Sequence, residues 1–393
     1  MNDKNRFHDD TLCQSENGVD SKGFESLSTP VYRASTLIFP TVKAYQKRRE
    51  NLYDGYSYGH YGTPTTKELE QKITTLEQGA RTVLTPSGMS AIALISLVCA
   101  KPGQKILFPD TVYDTARTFA EKFLAEFGIR SHFYDPSVGE RIAELIDANV
   151  ALIWVESPGS FTLEIQDLPA IASSARRYGV KIAADNTWAT PLRCRPLELG
   201  ADFSVNSLSK YFSGHSDVVM GSISVRDDDL YKKLKDYCRY LGYGVHADAA
   251  SLVLRGIKTM AVRVDRSEAT ATMLAEMVSQ WDCVDKVYYP PFATTPGHAL
   301  WRRDFKGATG LFSFVLNPDS ADRLDEGIEA MRHIKIGSSW GGTQSVVAVP
   351  NQFPARENGR PEPGWPIIRL SVGLESCDDL RDDLERARTI WTK

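Results

Sequence analysis

The chain has 393 residues, 42% hydrophobic and 24% charged, a balance that suits two or three domains with sizeable cores and excludes a disordered, fibrous or disulfide-stapled protein. Its 46 lysines and arginines stand against 50 aspartates and glutamates, a formal charge of −4, so there is no basic excess to neutralise a phosphate backbone and nucleic acid is not an expected partner. No apolar run approaches the ~20 residues that span a bilayer, and residues 1–20 lack the apolar core of a secretory signal; a cytoplasmic protein without a membrane segment is expected.

Residues 1–62 hold Pro30, Pro40, several glycines and a dense aromatic run without sustained period, and they are expected to form an arm packed on another surface, such as a neighbouring subunit. From about residue 80 to 225, strand-length apolar runs alternate with helix-length amphipathic segments, the pattern of an α/β domain with a largely parallel sheet. Strands are expected at Lys105 to Phe108, Val150 to Glu156 and Val180 to Ala184, and helices at Tyr113 to Phe127 and Leu168 to Tyr178. Ligands of such sheets bind at the C-terminal strand ends, which draws attention to Asp110, Glu156 and Asp185. Beyond residue 258 longer helices (Ser267 to Trp281, Ala321 to Met331, Leu380 to Trp391) alternate with strands such as Leu311 to Leu316 and Ile367 to Val372, suggesting a smaller α+β domain. The proline-rich stretch Pro350 to Pro366 is expected to be a loop near the site. Six cysteines (Cys13, Cys99, Cys194, Cys238, Cys283, Cys377) show no C-x-x-C pair and no zinc spacing with histidine, and read as reduced packing residues; no metal is expected.

Three segments point to one chemistry. In Asn206-Ser207-Leu208-Ser209-Lys210-Tyr211-Phe212-Ser213-Gly214-His215 a lysine lies between hydroxyls and a glycine-histidine turn. Lysine becomes nucleophilic when burial or nearby positive charge lowers its pKa, and a Schiff base with an aldehyde cofactor is the commonest use of such a residue. Ser207 and Ser209, two apart on a strand-like segment, would face one side and could donate to a phosphate. Asp185 ends an apolar strand, placed to hold the protonated ring nitrogen of pyridoxal phosphate. Thr85-Pro86-Ser87-Gly88-Met89-Ser90 runs from a strand into an apolar helix, offering backbone N–H groups where phosphate binds well.

With these segments in order, together with Pro30 to Thr36, Tyr113, Glu156-Ser157-Pro158, Leu254 to Thr259 and Ile368-Arg369-Leu370-Ser371-Val372-Gly373, nearly the whole chain resembles the pyridoxal-phosphate enzymes of cysteine and methionine metabolism, the trans-sulfuration family. Glu156-Ser157-Pro158-Gly159-Ser160, Asp185 to Thr190 and Ser338-Ser339-Trp340-Gly341-Gly342 look like its cystathionine β-lyase branch. The resemblance implies a fold-type I architecture: an arm (1–62), a large cofactor domain (63–257) with a mostly parallel seven-stranded sheet, and a small α+β domain (258–393). It also implies active sites shared between subunits of a homodimer, usually paired into a homotetramer.

It implies roles as well. Lys210 would hold the cofactor and shuttle the α-proton, Asp185 would keep the ring nitrogen protonated, and Tyr113 would stack on the ring. Gly88, Met89, Ser207 and Ser209 would cradle the phosphate, with Tyr58 reaching it from a neighbouring subunit. Arg369 would take the substrate carboxylate, helped by the Ser339 backbone, and Trp340 would shape the pocket. One departure stands out: His60 occupies the place of the family's phosphate-binding arginine, in Tyr58-Gly59-His60-Tyr61-Gly62. Histidine loses its charge across the neutral range and arginine does not, so His60 would give a weaker, more pH-sensitive contact, or else face the substrate.

Two competing motifs fail. Gly337-Ser338-Ser339-Trp340-Gly341 spells the nucleophile elbow of α/β-hydrolases, but no histidine follows His333. Gly242-Tyr243-Gly244-Val245 imitates a dinucleotide fingerprint after a charged helix rather than a strand. The expected activity is α,β-elimination of a thiol from cystathionine or a related L-cysteine conjugate. The alternatives are γ-elimination or γ-replacement on a homoserine-derived substrate, another pathway-specific reaction of the family, or, in a different class, a noncatalytic binding protein.

Overall fold

The computed structural model describes residues 8–14, 26–350 and 366–393; most of the proline-rich stretch after Pro350 lies outside them. Seven strands form one sheet: β1 (Arg81–Thr85), β2 (Lys105–Pro109), β3 (Arg130–Tyr134), β4 (Val150–Glu156), β5 (Lys181–Asp185), β6 (Phe203–Ser207) and β7 (Gly221–Val225). Their order is β1-β7-β6-β5-β4-β2-β3. All neighbours run parallel except β7, which is antiparallel to both β1 and β6. The interior strands are near-continuous apolar runs because helices cover both faces: Leu152, Ile153, Trp154 and Val155 of β4 are all buried.

The second sheet contains β8 (Val284–Tyr288), β9 (Leu311–Leu316), β10 (Lys335–Ile336), β11 (Val346–Ala348) and β12 (Ile367–Ser371), in the order β10-β11-β12-β9-β8. Its β11, β12, β9 and β8 pair antiparallel. Phe312, Phe314, Ile368, Leu370 and Trp391 build its core, which continues into Leu163, Trp188 and Ala189 from the loops of the first sheet. One apolar cluster therefore joins the two sheets beside the site. Among the described residues no helix is long and apolar enough to cross a membrane.

The expected strands appear where apolar runs dictate them. The helices needed correction. The segment after Tyr113 is helical over Asp114–Thr118 and Leu124–Glu126, but a π turn at Phe119–Phe123 interrupts it, stacking Phe119 on Phe123 at 5.2 Å. The helix expected to begin at Ser267 begins at Met260 and ends at Val278, because Arg263, which hides its period, is buried with a guanidinium donating to Gly256 O at 2.7 Å. The Ala321 to Met331 helix shrinks to Leu324–Glu329. Among the described residues of 1–62, Asp9–Gln14 and Val42–Lys47 form short α-helices; the first buries Leu12 and Cys13 against the rest of the chain.

Candidate active site

Parallel strands place their C-terminal ends on one sheet edge, and three of them end on polar residues: Glu156, Asp185 and Ser207. Glu156 and Asp185 are register partners. Above this edge opens a cavity of about 450 Å3 lined by Ser87, Gly88, Met89, Tyr113, Glu156, Asp185, Ser207, Ser209 and Lys210 from the first sheet's side, and by Ser338, Ser339, Trp340 and Arg369 from the second. Its volume suits a small-molecule site.

Lys210 sits in the turn that follows β6, its backbone N–H donating to Ser207 O at 3.1 Å. Its Nζ donates to Ser339 Oγ at 2.7 Å and lies 5.3 Å from the centre of the Trp340 ring. Burial, with help from the Arg369 charge, lowers its amine to about 8. Burial moves the Asp185 carboxyl the other way, above its ordinary value, against the Thr187 hydrogen bonds and the Lys210 charge; Thr187 N donates to Asp185 Oδ1 at 2.9 Å. A cationic partner in the cavity would offset that desolvation.

The helix Gly88–Cys99 points its N-terminus at the cavity, with Ser87 capping Ser90 N at 3.0 Å. The helix itself leaves its first N–H groups without acceptors. Gly88 is required there: a Cβ would fall 2.9 Å from the Ser207 Cβ, so only glycine lets the helix start approach the end of β6. Tyr113 is the N-cap of the next helix, and 42% of it is exposed. Its backbone N–H donates to Glu156 Oε2 at 2.9 Å.

Arg369 is the middle residue of β12, deeply buried, with Nη2 donating to Ser338 O at 2.9 Å and its guanidinium 4.3 Å from the centre of the Phe161 ring. Burial lowers it to about 10, against the neighbouring charges of Asp114, Tyr113 and Glu156; it remains a cation at neutral pH.

One detail differs from the sequence reading. Ser207 and Ser209 do not share a strand face, because β6 ends at Ser207; Ser209 lines the cavity from the turn, where its hydroxyl accepts from Met220 N at 3.0 Å. Ser338 supplies a backbone oxygen against Arg369, and the Ser339 hydroxyl meets Lys210. Tyr58 and His60 do not line the cavity of their own chain. His60 lies edge-on to Tyr61 at 5.4 Å, with its Nδ1 packed over Gly244. The Gly337 to Gly341 segment lies in the loop between β10 and β11 rather than at a strand-to-helix turn.

Glu156 was legible only by position, as a polar residue closing an apolar strand. The structure shows it as a second buried acid, held well above the usual carboxylate range by burial and by Asp185. Trp188 and Leu163 also line the cavity; nothing polar in the sequence singled them out.

These residues fit pyridoxal 5'-phosphate. A low-pKa amine, a buried acid that needs a cation, and a helix N-terminus beside a serine hydroxyl meet in one cavity with a partly exposed aromatic ring. Comparisons with known proteins agree. A model of the Cys/Met metabolism PLP-dependent enzymes matches residues 10–388. A cystathionine beta-lyase of Salmonella typhimurium is 34% identical over 366 residues, 91% of this chain and 92% of its own. An L-alanine/L-glutamate racemase of Wolbachia pipientis is 35% identical over 380 residues, 94% and 93% of the two chains. The crystal structure of a cystathionine gamma synthase from Xanthomonas oryzae pv. oryzae matches with a TM-score of 0.89 at 29% identity, covering 98% of this chain and 99% of that one. The chain belongs to the Cys/Met metabolism PLP-dependent enzyme family.

Proposed function

We propose that this enzyme is a carbon–sulfur lyase that eliminates a thiol from Cβ of cystathionine or a related L-cysteine conjugate, releasing an aminoacrylate that water hydrolyses to pyruvate and ammonia. The observation that carries the reading is the meeting of Lys210, Asp185 and Arg369 in one cavity with Trp340 against the lysine. Pyridoxal phosphate supplies an electron sink for negative charge at the substrate's α-carbon.

The protein's own residues do the rest. Arg369, its plane fixed by Ser338 O and Phe161, binds the α-carboxylate with a forked pair of hydrogen bonds. The Lys210 amine, neutral above about pH 8, removes the α-proton, and the electron pair freed at Cα drives out the thiolate from Cβ. Lys210 or Tyr113 then protonates the departing sulfur. Asp185, ionised, would hold the cofactor's ring nitrogen, and Ser207, Ser209, Gly88 and Met89 would hold its phosphate. Trp340 narrows the space above Lys210, which favours a leaving group at Cβ over one at Cγ.

Residues 63–257 form the cofactor-binding unit in this reading, and 258–393 the substrate-recognising one. The arm serves a second copy of the chain. Its apolar side chains Leu27, Ile38 and Val42 are 86%, 94% and 72% exposed, more than a free surface ordinarily shows in so short a stretch. Tyr58, held by Ser35 Oγ at 3.1 Å, and His60 are then available to the partner's phosphate.

The test is a panel of cystathionine, cystine, methionine and acylated homoserines with the products identified. Pyruvate from cystathionine is expected. 2-Oxobutyrate as the main product would move the assignment to γ-chemistry, the reaction class of the gamma synthase neighbour, and a D-amino acid without sulfur release would move it to racemisation.

A further inference from the structure

Beneath the cavity floor lies a buried polar layer that this chemistry does not use. The Pro64–Glu77 helix packs on the sheet face that carries Thr82, Ser204, Asn206, Ser222 and Ser224, paired across the strands as Thr82 with Ser224, Ser204 with Ser224 and Asn206 with Ser222. All five are at most 2% exposed. One end of the layer is closed by a hydroxyl chain, Thr74 to Thr82 at 2.7 Å and Thr82 to Ser224 at 2.8 Å.

The other end is not closed. Glu77 is 0% exposed, and its Oε1 accepts from Asn206 Nδ2 at 2.7 Å. Glu77 Oε2 and Asn206 Oδ1, also buried, have no hydrogen-bond partner among the described residues. Carboxylate and amide oxygens are both pure acceptors, so an ionised Glu77 leaves two desolvated oxygens unmet. The Ser204 hydroxyl, itself without a bond of normal geometry, could serve Oε2 but would still leave Asn206 Oδ1 bare. One proton satisfies both: Oε2–H donates to Oδ1 while Nδ2–H donates to Oε1.

We propose that Glu77 is a neutral acid closed on the Asn206 amide in a ring of two hydrogen bonds, and that this ring is a positioning device for the cofactor pocket. Asn206 precedes Ser207 at the end of β6. Asn186 follows Asp185, and its backbone N–H donates to Val205 O at 2.8 Å. The ends of β5 and β6 are thereby tied to the Pro64–Glu77 helix through this ring, one of whose two bonds depends on the carboxyl proton. Burial lifts the Glu77 carboxyl to about 7, against the side chains of Asn206, Ser204 and Asn186 and the charge of Arg195. Arg195, whose guanidinium is engaged by Leu76 O and the Asp9 carboxylate, is the cation acting on it. The other titratable neighbour is Cys194, a thiol pushed up chiefly by its own burial.

The sign follows from linkage. A carboxyl raised in the folded state holds its proton where the unfolded chain has lost it, so stability falls as pH rises from about 4.5 to about 7 and is level above. Glu77→Gln keeps the ring, with Nε2–H in place of Oε2–H, and cannot titrate.

The experiment measures pyridoxal phosphate affinity and thermal midpoint for wild type and Glu77→Gln between about pH 5 and pH 8.5, with the infrared carbonyl band of a protonated carboxyl followed in the wild type alone. The variants should match near pH 5. The wild type should bind cofactor about five-fold more weakly than Glu77→Gln near pH 8.5, and the infrared band should fade with a midpoint near 7. Parallel pH profiles, or a wild type with no protonated-carboxyl band near pH 5.5, would overturn the proposal. If Glu77→Gln does not fold, the infrared titration decides.

Discussion

The residues that the seven-stranded sheet brings to the cavity stand at strand ends, whereas the five-stranded sheet contributes Arg369 from the middle of a strand. Glu156, Asp185 and Ser207 each close a parallel strand, where neighbouring helix N-termini gather and anionic groups are favoured. Arg369 in β12 pairs with Ser313 of β9 on one side and Ala348 of β11 on the other, so its backbone is locked by ladder bonds and only its guanidinium reaches the site. The first arrangement suits a large anionic cofactor. The second suits one rigid, directional contact with a substrate carboxylate. Variants on the two sides should therefore fail in different ways.

The largest effect is expected at Lys210, which joins the two sides by touching Ser339 and Trp340. Lys210→Ala should lower kcat at least about 10^3-fold, since it removes nucleophile and base together, while the protein still folds. Residual turnover within ten-fold of wild type would refute the assignment. Next, Arg369→Leu should raise KM about 100-fold, the loss of a charge-assisted forked contact, and leave the bound-cofactor absorbance unchanged. Asp185→Asn should do the reverse, lowering kcat about 10- to 100-fold and altering that absorbance with little change in KM. If Arg369→Leu disturbs the cofactor as much as Asp185→Asn does, the division between the sheets is wrong.

A smaller effect probes their coupling. Burial is the main reason that the Lys210 amine lies near 8, and the Arg369 charge is the second. The rate at which cofactor-free protein captures added pyridoxal phosphate should therefore rise with pH and level above about 8, because only the neutral amine attacks. In Arg369→Leu the midpoint should move upward. A downward shift or none would show that the two sides do not communicate through charge.

Much of this was legible in the sequence, for physical reasons. Buried parallel strands are continuous apolar runs, so β4 and β9 match their expected bounds, and Asp185 was visible as the acid that ends one. The chain order of helix start at Gly88, acid at Asp185 and lysine at Lys210 was equally visible. What escaped notice depends on partners distant in the chain. Ser209 seemed to continue a strand because its hydroxyl's bond to Met220 cannot be read locally. Arg263 hid a helix turn because its burial rests on Gly256 and Thr259. Glu77 lies in an ordinary Leu-Glu-Gln helix end, and only the packing of β6 behind it makes the carboxyl unusual.

The smallest effect is expected in the arm, where neither sheet contributes. His60 packs against Tyr61 and over Gly244, and in the proposed assembly it meets a partner's phosphate. A phosphate dianion gains from any nearby cation, but an imidazole carries its charge only at the acidic end of the working range, while a guanidinium carries it throughout. His60→Arg should therefore change cofactor affinity little near pH 6 and tighten it about three- to ten-fold near pH 9, the scale of one charged contact at a partly exposed site. Dissociation constants for pyridoxal phosphate at the two pH values decide it. Equal affinities at both would remove His60 from the phosphate site and with it one reason to place the arm on a second copy. A loss at both would instead show that the histidine's fit against Gly244 matters more than its charge, making the 60–62 turn a packing element whose disruption loosens the whole arm.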